Sequence, residues 1–519
     1  MHSKKSDYPF RILYEIIATH GKKRARKTAL FVDDEKIRYS EILERVERLA
    51  AYLVQQGVKE GEKVAIFMRN TPEFLYSIFA ISKIGAIVVP INTFLKEDEL
   101  SYILQDSGAV GLLASSLYEK VVEASSARTQ CRFIVWEREA EQEGSDEHFR
   151  QILSHPYAPV PQTNRGLDDT AVIFYTSGTT GRPKGAMLSN RNILSNADSG
   201  RRTINVTARD RGIVFLPMFH SFTFSIGVML PMYVGASIVL IKSLKPFSNI
   251  FKQVLTKRVT VFFGIPDVYN ALAKAKLPWY FMWFNRIRAF ISGAAPLQPK
   301  TLDAMAKRFK RATLLEGYGL SEASPAVCMN TFKKQKAGSV GTALYGYEMK
   351  IVDENMEELP RGEIGDIIVR GDNVMQGYLN RPEATAETIV NGWLLTGDMG
   401  YMDEEGFLFI VDRKKDLIIS KGINIYPREI EDVIDRYDCV KASAVLGIPD
   451  EKNGEIPVAY IELEDECEAL DESGLKRYMR EHLANYKVPK HIHVIEELPK
   501  NATGKVLKRV LKEQLKRES

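Results

Sequence analysis

The chain has 519 residues, 45% hydrophobic and 27% charged, which fits a folded protein of several domains and argues against disorder. Its 71 Lys and Arg against 67 Asp and Glu leave a net charge of +4, too small over this length to mark a nucleic-acid binder. Cys131, Cys328, Cys439 and Cys467 lie far apart with no Cys-x-x-Cys pair, so neither a zinc site nor a disulfide framework is expected, and a reducing, cytoplasmic setting is the simplest reading.

The opening residues MHSKKSDYPF show no apolar core ahead of a small-residue cleavage site, so no signal peptide is expected. The basic run Lys22, Lys23, Arg24, Arg26 and Lys27 reads as a solvated face. Ile42, Leu43, Val46, Leu49 and Leu53 recur at helical spacing and predict a helix over 41–55. A short strand at 64–68, an amphipathic helix at 72–83 and a strand at 87–91 follow. Such alternation predicts a parallel sheet covered on both faces.

The rhythm returns after residue 170: a strand at 171–175, a helix near Asn190, a strand at 212–216, a helix over 222–234, and strands at 237–241, 259–263 and 288–292. The most apolar stretch, 225–240, is interrupted by Gly227, Pro231 and Gly235 and falls short of the roughly 20 residues that a membrane span needs. Residues 277–284, LPWYFMWF, concentrate aromatics; a packed helix is expected there, with contact to a membrane surface as the alternative. From about residue 338, short strands such as 349–352 and 366–370 separated by Gly and Pro predict a small antiparallel barrel or sheet. After Asp412 a helix at 428–436, strands at 442–448 and 456–463 and a helix at 475–483 predict a separate α+β unit. The charged stretch 412–416 is the expected hinge between domains 1–411 and 412–519.

The most informative segment is 175–185, YTSGTTGRPKG, which follows an apolar strand. Gly178, Gly181 and Gly185 let a backbone approach an anion and turn N–H groups toward it. The hydroxyls of Thr176, Ser177, Thr179 and Thr180 donate to phosphate oxygens, and Lys184 supplies a point charge for a triphosphate tail. No Gly-Lys pair in the chain precedes Ser or Thr, which disfavours P-loop chemistry.

With this loop, five further stretches occur in order: SGAAPL (292–297), LEGYGLSEAS (315–324), GWLLTGDMGYMDEEGFLFIVDRKKD (392–416), KGINIYPREIE (421–431) and NATGKVLK (501–508). Together with YSEI at 39–42 they span nearly the whole chain, which resembles the superfamily of acyl-CoA synthetases, luciferases and peptide-synthetase adenylation domains. The resemblance implies an α/β fold: a large N-terminal domain of two packed α/β subdomains plus a small β-barrel, then a small, mobile α+β C-terminal domain. It also implies ATP, Mg²⁺ and coenzyme A. A carboxylate attacks the α-phosphate of ATP, pyrophosphate leaves, and the coenzyme A thiol then displaces AMP from the acyl-adenylate.

Residue roles follow from the same resemblance. Glu322 is implied as the Mg²⁺ ligand, and Ser321, where the family more often has Thr, as an α-phosphate contact. Tyr318 and Gly319 are implied on one side of adenine, with Gly293, Ala294 and Ala295 as the opposing wall. Asp398 and Arg413 are implied to hold the ribose, the acceptor-only carboxylate suiting two hydroxyls. Lys505 is implied as the cation over the reacting carboxylate, Lys415 as the pivot, and Gly422 as lining for the pantetheine tunnel.

His220 and Phe222 are placed by the resemblance at the acid pocket. No Asp lies in that segment to hold a substrate ammonium, so an amino acid is disfavoured. A medium- or long-chain fatty acid is the expected substrate, with a 4-coumarate- or benzoate-like aryl acid, or transfer to a carrier-protein thiol, as alternatives. No nucleic-acid partner is expected, and a homodimer is left open.

Overall fold

The computed structural model describes residues 8–138, 148–176, 182–242, 248–420, 423–450, 452–467, 469–501 and 504–518. Among them, seven strands form a sheet in the order Gly377–Tyr378, Lys184–Ser189, Thr170–Thr176, Ile87–Pro90, Lys63–Phe67, Ala109–Ser115, Phe133–Glu137. The last five run parallel, and Lys184–Ser189 turns antiparallel to Thr170–Thr176. A nine-stranded sheet contains a parallel run of Thr313–Gly319, Ala289–Ser292, Val261–Gly264, Arg211–Val214, Ser237–Leu240 and Thr28–Val32, with antiparallel strands at both edges. The parallel interiors follow from unbroken apolar runs such as VFFG and AFIS, which are buried at every position.

One apolar core joins the two sheets through the helices Tyr39–Gln55, Pro72–Lys83 and Asn190–Ile204. The helix Pro72–Lys83 has the expected bounds, but it is not amphipathic: every residue except Glu73 is buried. It lies in the interior, where a helix apolar on all faces is stable. Lys83 is buried with it and pairs with Glu47. In the basic run Lys22, Lys23, Arg24 and Arg26 are exposed as expected, and Lys27 is the exception. Lys27 donates to the carbonyls of Ala208 and Gly235, and burial pushes its ammonium down to about 8, so it is not a solvated charge.

The predicted helix over 222–234 is two elements. Thr223–Met229 is a π-helix and Leu230–Val234 an α-helix. Pro231 has no N–H to give to the Gly227 carbonyl, so an α-helical register cannot pass through this point unbroken.

Glu348–Val352, Gly365–Arg370, Trp393–Met402, Ile389–Val390 and Leu408–Arg413 form a five-stranded antiparallel sheet. Beyond it, Ile423–Ile425, Ile418–Ser420, Gly454–Leu463, Val440–Asp450 and His491–Ile495 form a second five-stranded sheet. The helices Pro427–Ile434 and Glu472–His482 close over a separate core of Ile418, Ile430, Val445, Ile461, Leu475 and Met479. The stretch 412–416 ends one strand and enters a 3₁₀ turn, Lys414–Asp416, between the two sheets. Asp412 bridges them, its two carboxylate oxygens accepting the N–H groups of Arg413 at 2.7 Å and Arg428 at 2.8 Å.

The cysteine expectation is corrected here. Cys439 and Cys467 form a disulfide, with Cα atoms 5.8 Å apart. Val440 pairs across the sheet with Leu463, and Glu464 N–H donates to the Cys439 carbonyl at 3.0 Å. A turn then returns Cys467 to the start of the same ladder, an adjacency that linear spacing hides. The argument for a reducing setting therefore loses its cysteine basis. No described helix is long and apolar enough to cross a membrane.

Candidate active site

The strand Thr313–Gly319 delivers the first site residues at the end of the nine-stranded sheet. A Cβ at Gly319 would stand 1.9 Å from the Pro325 carbonyl oxygen, so only glycine allows the return strand Ala326–Met329 to close against it. The connection carries the 3₁₀ turn Ser321–Ala323. Met375 N–H donates to the Glu322 carbonyl at 2.8 Å, and Ser324 Oγ donates to the Asn373 carbonyl at 2.8 Å. These bonds fix the turn from outside.

Glu322 then faces Tyr378, whose hydroxyl donates to its Oε1 at 2.9 Å. Lys184 lies over the face of the same ring, its ammonium 5.1 Å from the centroid. The two strands that bear Lys184 and Tyr378 are hydrogen-bonded neighbours, with Leu379 N–H donating to the Gly185 carbonyl at 2.8 Å. Thr176 sits opposite Lys184 at the mouth of the Thr170–Thr176 hairpin and donates to its carbonyl at 3.4 Å. Ser177, Gly178, Thr179, Thr180 and Gly181, and likewise Gly422, lie outside the described residues. Ser321 Oγ and Ser221 Oγ are 2.9 Å apart, which couples the turn to the segment bearing His220 and Phe222.

A second cluster surrounds Asp398. Tyr318 Oη donates to its Oδ2 at 2.5 Å, and Arg413 Nε approaches its Oδ1 at 3.2 Å. Arg413 is its cross-strand partner, so the sheet register itself sets that contact. Burial first, then the Asp398 charge, hold the Tyr318 phenol far above its ordinary range, so it stays a donor. Gly293, Ala294 and Ala295 follow the neighbouring strand Ala289–Ser292, with Ala294 in the left-handed region at φ 73°. Phe222 packs on this loop: a Cβ at Gly293 would lie 3.0 Å from its ring. His220 Nδ1 accepts from Phe222 N–H at 3.3 Å, and burial pushes the imidazole down to about 4, so it is neutral at physiological pH.

Lys505 reaches the Asp398 cluster from the C-terminal unit. Its loop is tied by Asn501, whose Oδ1 accepts the Lys505 N–H at 3.0 Å. Gly504, at φ 76°, lies against Ile265 and Asp267; a Cβ there would be 3.0 Å from Ile265 Cδ1. Burial, and next the nearby Arg413 charge, lower the Lys505 ammonium to about 8 while Asp398 opposes them. Lys415 is lowered to about 8 as well, mainly by burial. The seam between the units carries the ion pairs Lys274–Glu464 at 2.7 Å and Lys500–Asp267 at 3.4 Å. Gln298 Nε2 donates to Asp435 Oδ2 at 2.8 Å. Burial raises the carboxyls of Asp435 and Glu316 to about 7, and Glu316 faces Arg428 and Asp432 across the seam.

The structure therefore brings Tyr318, Asp398, Arg413, Lys415 and Lys505 to one cluster and Thr176, Lys184, Ser321 and Glu322 to another. Tyr378 and Ser221 are additions that lie in none of the six stretches, and Glu316 lies within 315–324 but has no role implied for it. Among the described residues no group of three His, Cys, Asp or Glu side chains gathers for a metal. Glu322 offers a lone carboxylate beside the hairpin mouth, a donor set that fits an ion held mainly by substrate phosphates and water.

Comparison with known proteins gives one consistent result. The AMP-binding enzyme family model matches residues 17–379, and the AMP-binding enzyme C-terminal domain model matches 429–505. A feruloyl-CoA synthase from Amycolatopsis sp is 36% identical over 91% of this chain and 92% of its own length. A long-chain-fatty-acid–CoA ligase from Salmonella typhimurium is 32% identical over 97% of this chain and 95% of its own. Among solved structures, the anthranilate CoA ligase AuaEII in complex with anthranoyl-AMP superposes with a TM-score of 0.91 at 28% identity, covering 99% of each chain. ATP-bound MatB from Rhodopseudomonas palustris superposes with a TM-score of 0.89 at 32% identity, covering 97% of this chain and 99% of its own.

Proposed function

This chain belongs to the AMP-binding enzyme family and is an AMP-forming acyl-CoA synthetase, and from that premise we propose that it ligates a medium- or long-chain fatty acid to coenzyme A through an acyl-adenylate. The observation that carries the mechanism is the convergence of Lys505 on Asp398 and Arg413 from a separate unit. In the first step the substrate carboxylate oxygen bonds to the α-phosphorus of ATP and the bond to the pyrophosphate oxygen breaks. Two anions meet, so a fixed cation over the reacting atoms favours the transition state. Lys505 takes that position. Asp398 holds the ribose hydroxyls, oriented by Arg413 and Tyr318. Ser321, kept in place by Ser221, donates to the α-phosphate. Thr176 and Lys184 bind the polyphosphate end. Glu322, oriented by Tyr378, would hold Mg²⁺, which supplies charge neutralisation when bound.

In the second step the coenzyme A thiolate attacks the acyl carbonyl carbon and AMP leaves as its phosphate oxygen takes the bonding pair. The described arrangement suits the first step. The second requires the unit 412–519 to turn at 412–416 about Lys415, carrying Lys505 away and bringing the stretch that contains Gly422 to the site.

The fatty-acid reading is supported by the apolar wall of Phe219, Phe224, Ile226 and Met229, which are buried, and by neutral His220. Phe222 packs against two apolar clusters, one containing Ile226 and the other extending as far as Phe281. A second reading, an aryl acid, is favoured by the feruloyl-CoA synthase relative. Acid-dependent exchange of pyrophosphate into ATP, run across alkyl acids of graded length and aryl acids, separates the two. The highest specificity constant is expected for an alkyl acid of medium or long chain; aryl acids exceeding every alkyl acid would overturn the proposal.

A further inference from the structure

The expected packed helix at 277–284 is seated by little more than one side chain. In Trp279–Phe284, Phe281 is 2% exposed and its ring meets that of Phe251 at 5.3 Å. The other aromatics face outward: Trp279 is 72% exposed, Trp283 and Phe284 68% each, and Tyr280 47%. Scattered apolar residues on a surface need no explanation, but four large aromatics on one short helix form a patch that does.

The surroundings are basic. Between residues 274 and 311 Asp303 is the sole acid. Lys276, Arg286, Lys307, Lys310 and Arg311 are exposed and make no ion pair with a described residue, unlike Lys274, which reaches Glu464 at 2.7 Å. Lys310 and Arg311 line a shallow cavity with Met282 and Trp283, and Arg311 Nη1 donates to the Trp283 carbonyl at 3.2 Å. Aromatic rings bordered by Lys310 and Arg311, with further cations without ion pairs on the flanking chain, match the head-group region of an anionic bilayer, where amphipathic rings settle at the interface and Lys and Arg meet lipid phosphates. A second copy of this chain is a poorer occupant, because a two-fold pairing of the patch would press the like-charged rims together.

We propose that this face docks on an anionic lipid bilayer. Trp279, Trp283 and Phe284 enter the interface, and Lys276, Lys307, Lys310 and Arg311 hold the head-group phosphates. Phe281 and Met282, beneath the docked face, belong to the apolar cluster that reaches Phe222 and Ala294 at the adenylate site. The docking does not depend on which acid is ligated.

The test is flotation of the full chain with vesicles of phosphatidylcholine, alone or mixed with phosphatidylglycerol, in the absence of nucleotide. Flotation with the anionic vesicles only, weakened by salt, is expected. Trp279→Ser/Trp283→Ser and Lys307→Glu/Lys310→Glu should each lower the bound fraction roughly tenfold. Both variants should keep pyrophosphate exchange with a short, water-soluble acid, which shows that they fold. Brominated lipid should quench the wild-type indole emission and leave that of Trp279→Ser/Trp283→Ser, which retains Trp136 and Trp393, unchanged. No flotation with anionic vesicles, or equal flotation of wild type and both variants, would overturn the proposal. So would aromatic variants that shift the sedimentation size while flotation is unchanged, which would assign the face to a second copy.

Discussion

The two halves of the adenylate site are held in different ways. The half on the large unit is pinned by partly buried bonds, Tyr318 to Asp398 and Tyr378 to Glu322, and by a hairpin that only Gly319 lets close. The half that carries Lys505 meets it across a seam whose ion pair Lys274–Glu464 is open to water, with the Lys274 side chain 66% exposed. Exposed pairs contribute about 0–1 kcal/mol. That contrast is what the proposed turning of the unit 412–519 between the two steps would require.

The sharpest way to break that contrast is Lys505→Ala. Pyrophosphate exchange should fall about 10²–10³-fold, the loss expected for one charge-stabilising donor. Conversion of supplied acyl-adenylate to thioester should persist. Equal losses in both assays would mean that the two halves act as one.

Next is Glu316, on the pinned side of the seam. Its folded carboxyl is raised to about 7, mainly by burial, against an ordinary value of 4.5. A raised carboxyl favours folding most at acid pH, and that contribution is lost as pH rises from about 4.5 to about 7, then levels. Glu316→Gln keeps the acceptor for the Leu297 N–H, 3.0 Å away, and removes the titration. A gain of about 2–3 kcal/mol at pH 8 relative to the same substitution at pH 4 is expected from urea unfolding. An equal effect at both pH values would contradict it.

Tyr378→Phe should cost about tenfold in pyrophosphate exchange, one lost hydrogen bond to a charged group, and should raise the Mg²⁺ concentration needed for half-maximal rate. A loss insensitive to Mg²⁺ would remove Tyr378 from the positioning of Glu322. The smallest effect is expected from Lys274→Ala. It should slow adenylation by up to about fivefold without moving the unfolding midpoint, since it loosens the seam and not either core.

Much of this was legible in sequence, and the boundary has a physical cause. Apolar runs fixed the strands, and Pro72–Lys83 was bounded correctly by its proline and periodicity. Its burial on all faces was not visible, because amphipathicity was judged without knowing that a second sheet would cover the other side. Glu322, Asp398 and Lys505 are legible through the family resemblance of the stretches that carry them. Tyr378 and Ser221 were silent: each acts through a contact made by chain folding, and neither sits in a composition that marks it. The same holds for Cys439 and Cys467, joined by a ladder and not by their spacing.

Tyr378 engages Lys184 with its ring face and Glu322 with its hydroxyl, so one side chain holds two opposite charges at different points. An ammonium and a carboxylate free to touch would collapse into a contact pair, and an incoming nucleotide would first have to separate them. The phenyl face keeps the cation at 5.1 Å from its centroid, while the hydroxyl engages the anion. Tied to separate parts of one side chain, the two charges form no ion pair with each other, and both stay available to substrate.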